Sequence, residues 1–276
     1  MKKKLRVLIV SPELAPLATG TGGLGEMVRL AAEEAAAQGA AVSIALPRYR
    51  VPAIEALRLE PVLPEFYVPV GTERVKAAAY RAQSGGLEVY LIDSAEYFLR
   101  DRLYGAEGAA YLDNDARFVF FARAVVELIL KAKLAVDVVH CHDWPAALVP
   151  LFLRTHYAGR ALLKDTASVL SVPEFDGKGR FPAESLAFTG LTWDYFTPEQ
   201  LAQNGRFDFL KAGVVFSDAL TGPAWAVPGA PPRGVDGNGW AEALARRAEA
   251  VVPPSRPLLE IYRQAIDNKK GVPHVR

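Results

Sequence analysis

The chain has 276 residues, 51% of them apolar, and its 32 basic and 31 acidic residues give a formal net charge of +1. This apolar content supports a substantial core in one or two domains, and the balanced charge gives no reason to expect nucleic acid or an anionic membrane as a partner. One cysteine excludes an intrachain disulfide, and no stretch approaches the roughly 20 apolar residues of a membrane span. The apolar run after the basic start is too short for a signal peptide, so we expect a cytoplasmic protein.

The first predicted unit is a buried strand, Val7 to Val10, then a loop rich in Pro and Gly, and a helix that begins near Leu24. Such a unit opens a parallel α/β sheet, whose ligand site lies at the carboxyl ends of its strands. Glycines let backbone N–H groups approach a ligand, and the N-terminus of a helix favours phosphate or a sugar hydroxyl. The spacing matches neither the dinucleotide fingerprint nor the phosphate loop, so a plain glycine turn explains the loop equally well.

The next segments predict a second parallel strand and an antiparallel pair. Ala41 to Pro47 reads as a buried strand that completes a βαβ unit. Prolines break every period between Val51 and Val70, which predicts an irregular excursion with one short extended piece at Phe66 to Val70. Arg74 to Arg81 and Leu87 to Asp93 then predict two strands joined by a turn.

The middle of the chain continues the alternation of helices and strands. Its clearest helix is Asp113 to Leu134, with Asp113 or Asn114 available as N-cap. The elements predicted after it are a strand at Val136 to His140, a helix at Ala146 to Tyr157, a strand at Ala167 to Val172, an irregular stretch at Pro173 to Asn204, a helix at Phe207 to Phe216 and a strand at Ala219 to Thr221.

The end of the chain predicts a linker and closing helices. Residues 223–239 are rich in Gly and Pro, so the α/β body, residues 1–222, is expected to end there. Residues 240–276 form the third predicted part of the chain. Within it, a helix is predicted at Trp240 to Val251. Four side chains then recur at the spacing of an amphipathic helix: Leu258, Ile261, Tyr262 and Ala265.

Polar side chains gather where the third parallel strand ends, in the run from His140 to Trp144. A metal site there is disfavoured because the chain offers few other soft ligands. Cys141 fits a buried structural residue better than a nucleophile, because His142, its neighbour on a strand, points to the opposite face. Asp143 fits both a general base or sugar-hydroxyl acceptor and the N-cap of the next helix.

A second carboxylate, Glu13, follows the first strand. A ligand contact and a solvated loop residue both explain it, while Glu26 is explained by the dipole of its own helix.

The order of the segments SPELAP, TGGLGE, ALPRY, DNDARF, HCHDWPAALVP, FDFLKAG and SDALT resembles the N-terminal domain of bacterial glycogen synthases and plant starch synthases. The resemblance implies a Rossmann-like α/β domain, one of two that face a cleft. It also implies glucose transfer from ADP-glucose to the non-reducing end of an α-1,4-glucan with retention of configuration. The substrate-binding residues that it implies are Glu13, Gly22, Gly23, Leu24, His142, Asp143 and Trp144.

Three features depart from that family. The loop lysine that meets the donor phosphates is replaced by Thr19 or Gly20, and Ser171 stands where the family's glucose-contacting His is expected. The family's second domain, which holds most of the nucleotide site, has no room in 276 residues. The segment SRPLLEIYRQAI nevertheless resembles the family's final helix, which packs back on the N-terminal domain.

These departures leave three functional hypotheses. The first is a homologue that is inactive alone and keeps a cleft for an α-glucan, a maltooligosaccharide or a protein partner, with weak or no binding of ADP-glucose. The second is an active half-enzyme that a separate chain completes, and the third is a structural or regulatory subunit. The sequence implies no cofactor and no metal, and it leaves enzymatic activity open.

Overall fold

A computed structural model describes residues 4–222 and 240–271, so the predicted linker at residues 223–239 lies outside the described residues. The described strands are β1 (Arg6–Val10), β2 (Ala41–Pro47), β3 (Glu60–Val70), β4 (Glu73–Ser84), β5 (Leu87–Asp93), β6 (Gly105–Ala106), β7 (Ala109–Ala110), β8 (Val138–His142), β9 (Ala167–Ser171), β10 (Arg180–Phe181), β11 (Ala202–Gln203), β12 (Arg206–Asp208) and β13 (Ala219–Thr221). The described α-helices are α1 (Leu24–Ala37), α2 (Pro52–Glu55), α3 (Asn114–Lys131), α4 (Leu148–Arg154), α5 (Phe209–Phe216), α6 (Trp240–Ala245) and α7 (Leu258–Gly271).

The main sheet of the described chain has eight strands in the order β13-β9-β8-β1-β2-β5-β4-β3. Strands β13, β9, β8, β1, β2 and β5 pair in parallel, while β4 and β3 are added antiparallel at one edge. Order and direction confirm the predicted Rossmann-like α/β fold with a mostly parallel sheet. Parallel strands covered on both faces need apolar side chains throughout, and β1 accordingly buries its last four residues.

The predicted extended piece at Phe66 to Val70 is confirmed, but the prediction of an irregular excursion before it is wrong in part, because the strand β3 has 11 residues and occupies Glu60–Val70. The prolines are tolerated because β3 lies at the edge of the sheet and pairs only with β4, so a missing N–H need not break a second ladder. The pairing shifts register between Pro61 and Leu63 and again between Leu63 and Phe66. Such bulges accommodate proline in an edge strand.

The C-terminal helix α7 packs on the sheet face that α1 also covers, against β8, β9 and β13. The predicted apolar face of α7 is buried, with Ile261, Tyr262 and Ala265 at 1% exposure or less. Side chains at the end of α1 and just after it cap the first turn of α7, because Glu34 and Gln38 accept hydrogen bonds from the backbone N–H groups of Leu258 and Leu259. The helix is therefore held by both apolar packing and polar capping.

A short extended piece precedes α7 at the far edge of the sheet. Val251 forms a parallel bridge with Leu220 of β13, and the N–H of Val252 donates to the Leu220 carbonyl at 2.8 Å. The chain then runs from Pro253 to Pro257 between this edge and α1 before α7 begins.

Candidate functional site at the carboxyl edge of the sheet

Three neighbouring strands, β1, β8 and β9, bring their carboxyl ends together, as the prediction of a ligand site requires. His142 and Ser171 are register partners at the ends of β8 and β9. The N–H of Asp143 donates to the Ser171 carbonyl at 2.9 Å, which fixes the turn after β8 to the end of β9. The sheet thus places residues 29 positions apart in the sequence side by side.

Glu13 is buried, at 3% exposure, and is not the solvated loop residue that was one of its interpretations. One carboxylate oxygen accepts from the N–H of Gly20 at 2.6 Å and the other accepts from the Tyr104 hydroxyl at 2.7 Å. A Cβ on Gly20 would lie 2.8 Å from Glu13 Oε1, so a larger residue at position 20 would require the carboxylate to shift. Glu13 therefore holds the shape of the glycine-rich loop.

The remaining loop residues differ in their surroundings. Gly22 is exposed and a Cβ there would meet nothing within 4 Å. Gly23 has φ +75° and forms the N-cap of α1, a left-handed conformation that glycine adopts without strain. Leu24 is buried in the core. Of these three, Gly22 and Gly23 present backbone to the open side of the loop.

A pocket of about 260 Å³ lies between the ends of β8, β9 and β13, helix α1 and the start of α7. Most of its lining is apolar. The lining residues are Met27, Leu30, Ala31, Glu34, His140, His142, Ser171, Val172, Pro173, Thr221, Gly222, Pro254, Arg256, Leu258 and Ile261.

Two histidines form the polar wall of this pocket, with ring centroids 4.2 Å apart on one face of β8. His140 bonds through Nε2 to the Ser171 hydroxyl at 2.7 Å and through Nδ1 to the Tyr262 hydroxyl at 3.0 Å. His142 is buried, and neither ring nitrogen has a hydrogen-bond partner among the described residues. Burial lowers the pKa of His142 to about 4, so its ring is neutral at physiological pH.

Asp143 occupies the strained turn after β8, with φ +63° and ψ 177°. Backbone of this kind is rare outside glycine and concentrates at functional sites. One carboxylate oxygen accepts from the N–H of Trp144 at 2.7 Å, which confirms the predicted capping role at the 3-10 helix Trp144–Ala146. Burial raises the pKa of Asp143 to about 6, outweighing that hydrogen bond.

Replacing Asp143 by Asn is expected to stabilise the fold at pH 7.5 by about 2 to 3 kcal/mol, since one pKa unit corresponds to about 1.4 kcal/mol. A pKa raised in the folded state means that the folded protein binds the proton more tightly. Wild-type stability should therefore fall relative to the variant as pH rises from about 4 to about 6. Chemical denaturation of both proteins from pH 3.5 to 8 measures this difference.

The matched control is Asp165→Asn, at an exposed position just before β9 and at the opposite end of that strand. A difference between Asp143→Asn and wild type that stays constant over this pH range would contradict the raised pKa.

Trp144 is part of an aromatic cluster and is only 7% exposed. Its ring centroid lies 4.8 Å from that of Phe118 and 6.2 Å from that of Tyr104. Gly179 packs against it so closely that an added Cβ would lie 2.6 Å from the Trp144 Cβ. The indole therefore packs against the turn after β8, and little of its surface is exposed for a sugar ring to stack on.

Six of the eight predicted residues fall into two groups. His142, Asp143 and Ser171 come together at the strand ends, whereas Glu13, Leu24 and Trp144 support the turns behind them. Sequence reasoning missed Tyr104 and Tyr262, which bond Glu13 and His140. Tyr262 was predicted only as core, although a buried phenol generally needs a hydrogen-bond partner.

Cys141 points away from the histidines and is buried, as predicted, and burial raises the pKa of its thiol. Within residues 4–222 and 240–271 there is no group of three or more His, Cys, Asp or Glu side chains that could hold a metal ion. No helix in the described part of the chain is long and apolar enough to cross a membrane.

The fold and the site define an α/β domain whose ligand edge lies at the carboxyl ends of parallel strands. The family profile described as "Starch synthase catalytic domain" matches residues 6–222. The chain therefore belongs to the starch synthase catalytic-domain family, and the resemblance to glycogen and starch synthases is confirmed.

Two curated relatives show the same relationship. "Glycogen synthase" from Moorella thermoacetica is 35% identical over 221 residues, which cover 80% of this chain and 44% of the relative. "Glycogen synthase 2" from Geobacter sulfurreducens is 35% identical over 217 residues, which cover 79% of this chain and 45% of the relative. The chain thus spans less than half the length of these relatives.

The fold is also similar to a solved structure, the catalytic domain of starch synthase IV from Arabidopsis thaliana bound to ADP and acarbose. The TM-score is 0.79 at 24% identity, with 91% of this chain and 51% of that chain covered. At this identity the similarity concerns the fold.

Proposed function

We propose that this 276-residue polypeptide binds the end of an α-glucan at the carboxyl edge of the sheet and does not transfer glucose by itself. The observation that most strongly supports the proposal is the identity and bonding of the residue at position 171. A serine stands where the family resemblance implies a histidine, and its hydroxyl is bonded to His140 at 2.7 Å within a pocket that keeps other polar atoms unpaired.

Glucan binding is supported by the hydrogen-bonding groups at this edge. Sugar hydroxyls both donate and accept, and the neutral ring of His142 offers one donor and one acceptor that have no partner among the described residues. Asp143, a partly exposed residue in the turn after β8, adds a carboxylate acceptor at the same edge of the sheet, outside the lining of the pocket. An apolar pocket with a few converging polar groups is typical of small-molecule sites.

The absence of independent transfer is supported by missing cationic and catalytic side chains. No Lys or Arg occurs from Ser11 to Leu24, so the loop offers no positively charged side chain to donor phosphates. Removing one group that stabilises transition-state charge costs about 100- to 1,000-fold in rate. By the family resemblance, most of the nucleotide site lies in the half of the relatives that this chain does not cover.

Isothermal titration with maltoheptaose tests the binding half of the proposal. Wild type should bind, Asp143→Ala should weaken binding by about tenfold through loss of a charged hydrogen-bond acceptor, and Asp165→Ala should bind like wild type. Equal binding by both variants would place the sugar elsewhere. No binding by wild type would contradict the proposal.

A second candidate function is one half of an enzyme that becomes active when a separate chain supplies the other half. The carboxyl edge of the sheet would then form one wall of a shared cleft. The observation that favours it is coverage, because the relatives named glycogen synthase are more than twice as long as the matched region.

A further inference from the structure

One side chain of the C-terminal helix α7 is hydrogen-bonded to the polar wall of the pocket. Tyr262 of α7 lies 122 residues from His140 in the sequence, and its hydroxyl is 3.0 Å from His140 Nδ1. On the other side of the ring, Nε2 is 2.7 Å from the Ser171 hydroxyl. Tyr262 of α7 is therefore connected to Ser171 by two consecutive hydrogen bonds across a buried imidazole.

The direction of these bonds follows from what each group can donate. Among the described residues the Tyr262 hydroxyl bonds only to His140, and Tyr262 is 0% exposed. With the ring proton on Nδ1, the phenolic O–H would have nothing to donate to, which is costly in a buried site. With the ring proton on Nε2, Tyr262 donates to Nδ1 and Nε2–H donates to Ser171, so both donors of the pair are used.

A charged ring would also be a double donor, but burial and the neighbouring His142 both lower the pKa of His140 well below its ordinary value. His140 is therefore neutral, and its single ring proton is on either Nδ1 or Nε2.

We propose that Tyr262 is a positioning residue that holds the His140 proton on Nε2 and so directs the Ser171 O–H into the pocket. Ser171 accepts from His140 and has its own proton available, because its hydroxyl has no other partner among the described residues. It therefore acts as a fixed hydrogen-bond donor toward a ligand oxygen. It is not an activated nucleophile, because in this tautomer His140 cannot accept its proton.

Long-range proton–nitrogen correlation spectra of the intact chain, labelled with ¹⁵N in histidine, test this directly. In wild type the His140 proton should sit on Nε2 alone. In Tyr262→Phe the donor to Nδ1 is lost, and we expect the proton to shift to Nδ1 or to divide between the two nitrogens. Tyr49→Phe is the matched control, because that buried hydroxyl has no partner in the described parts of the chain, and it should leave the pattern unchanged.

A wild-type His140 protonated on Nδ1 would overturn the proposal, and so would a Tyr262→Phe spectrum identical to that of wild type. If Tyr262→Phe fails to fold, the wild-type tautomer alone decides the question.

The consequence for binding rests on the proposed function. Tyr262→Phe should weaken maltoheptaose binding by about tenfold, as expected for one misdirected hydrogen bond, and Tyr49→Phe should not. Because the spectra need no ligand, failure of wild type to bind maltoheptaose would contradict the proposed function and leave the tautomer result standing.

Discussion

Deleting residues 255–276 is expected to unfold the domain at physiological temperature or to lower its melting temperature sharply. Helix α7 covers the sheet face over β8, β9 and β13, and three of its large apolar side chains are buried: Leu258, Ile261 and Tyr262. Each large side chain contributes about 1.5 to 3 kcal/mol on burial, so the loss is roughly 5 to 9 kcal/mol. Losses of this size rival the total stability of a typical domain, about 5 to 15 kcal/mol.

A point substitution tests the packing of α7 on the sheet without deleting any residues. Ile261→Asp places a carboxylate at a position that is 1% exposed, whereas Arg263→Asp changes an exposed position two residues along the same helix. Chemical denaturation should show a loss of at least about 3 kcal/mol for the first and little change for the second. An unchanged melting temperature after the deletion, with α7 cleaved readily by protease in the intact chain, would contradict this account of α7.

Glucose transfer from ADP-glucose to glycogen is expected to be undetectable with the purified 276-residue chain. The donor diphosphate needs charge stabilisation that no side chain between Ser11 and Leu24 supplies, and by the family resemblance Ser171 stands in place of an imidazole that contacts the transferred glucose. Two such losses reduce the rate by about 10,000-fold or more. The measurement is incorporation of radiolabelled glucose into glycogen, with the Moorella thermoacetica glycogen synthase assayed in parallel.

Robust incorporation by the chain alone would contradict that expectation. The half-enzyme alternative is tested in the same assay by adding the part of the Moorella thermoacetica relative that lies outside the matched region. Activity that appears only with both polypeptides would favour the half-enzyme over a binding protein, and Asp143→Ala should then reduce it.

The parallel core of the fold was predictable because its strands are short apolar runs, each followed by a turn signal and a helix. Strand β3 was not, since Pro61, Pro64 and Pro69 argue against a strand unless it lies at an edge. In the described sheet β3 is an edge strand because it pairs with β4 on one side and with no strand on the other. A single sequence does not specify this arrangement. A proline in the sequence thus shows only that one backbone N–H is missing. Whether that N–H is needed for a hydrogen bond depends on the position of the strand in the sheet.

The rule for parallel sheets predicts the edge at which the candidate site lies, but it does not predict the contacts of the residues there. Glu13 and Trp144 were predicted to bind substrate from the family resemblance, and their positions behind the turns leave that role untested. What the sequence could not supply was Tyr104 and Tyr262, which contact the site from residues 91 and 122 positions away from their partners. Contacts at such separation arise from packing of whole elements and carry no local signal.

The most direct test of glucan binding at this edge is a titration of the ¹⁵N-labelled chain with maltoheptaose, followed by amide chemical shifts. The account predicts saturable shifts centred on Gly22, His142, Asp143 and Ser171, with the exposed hairpin between β3 and β4 unaffected. The absence of shifts, or shifts centred away from the carboxyl edge of the sheet, would contradict it.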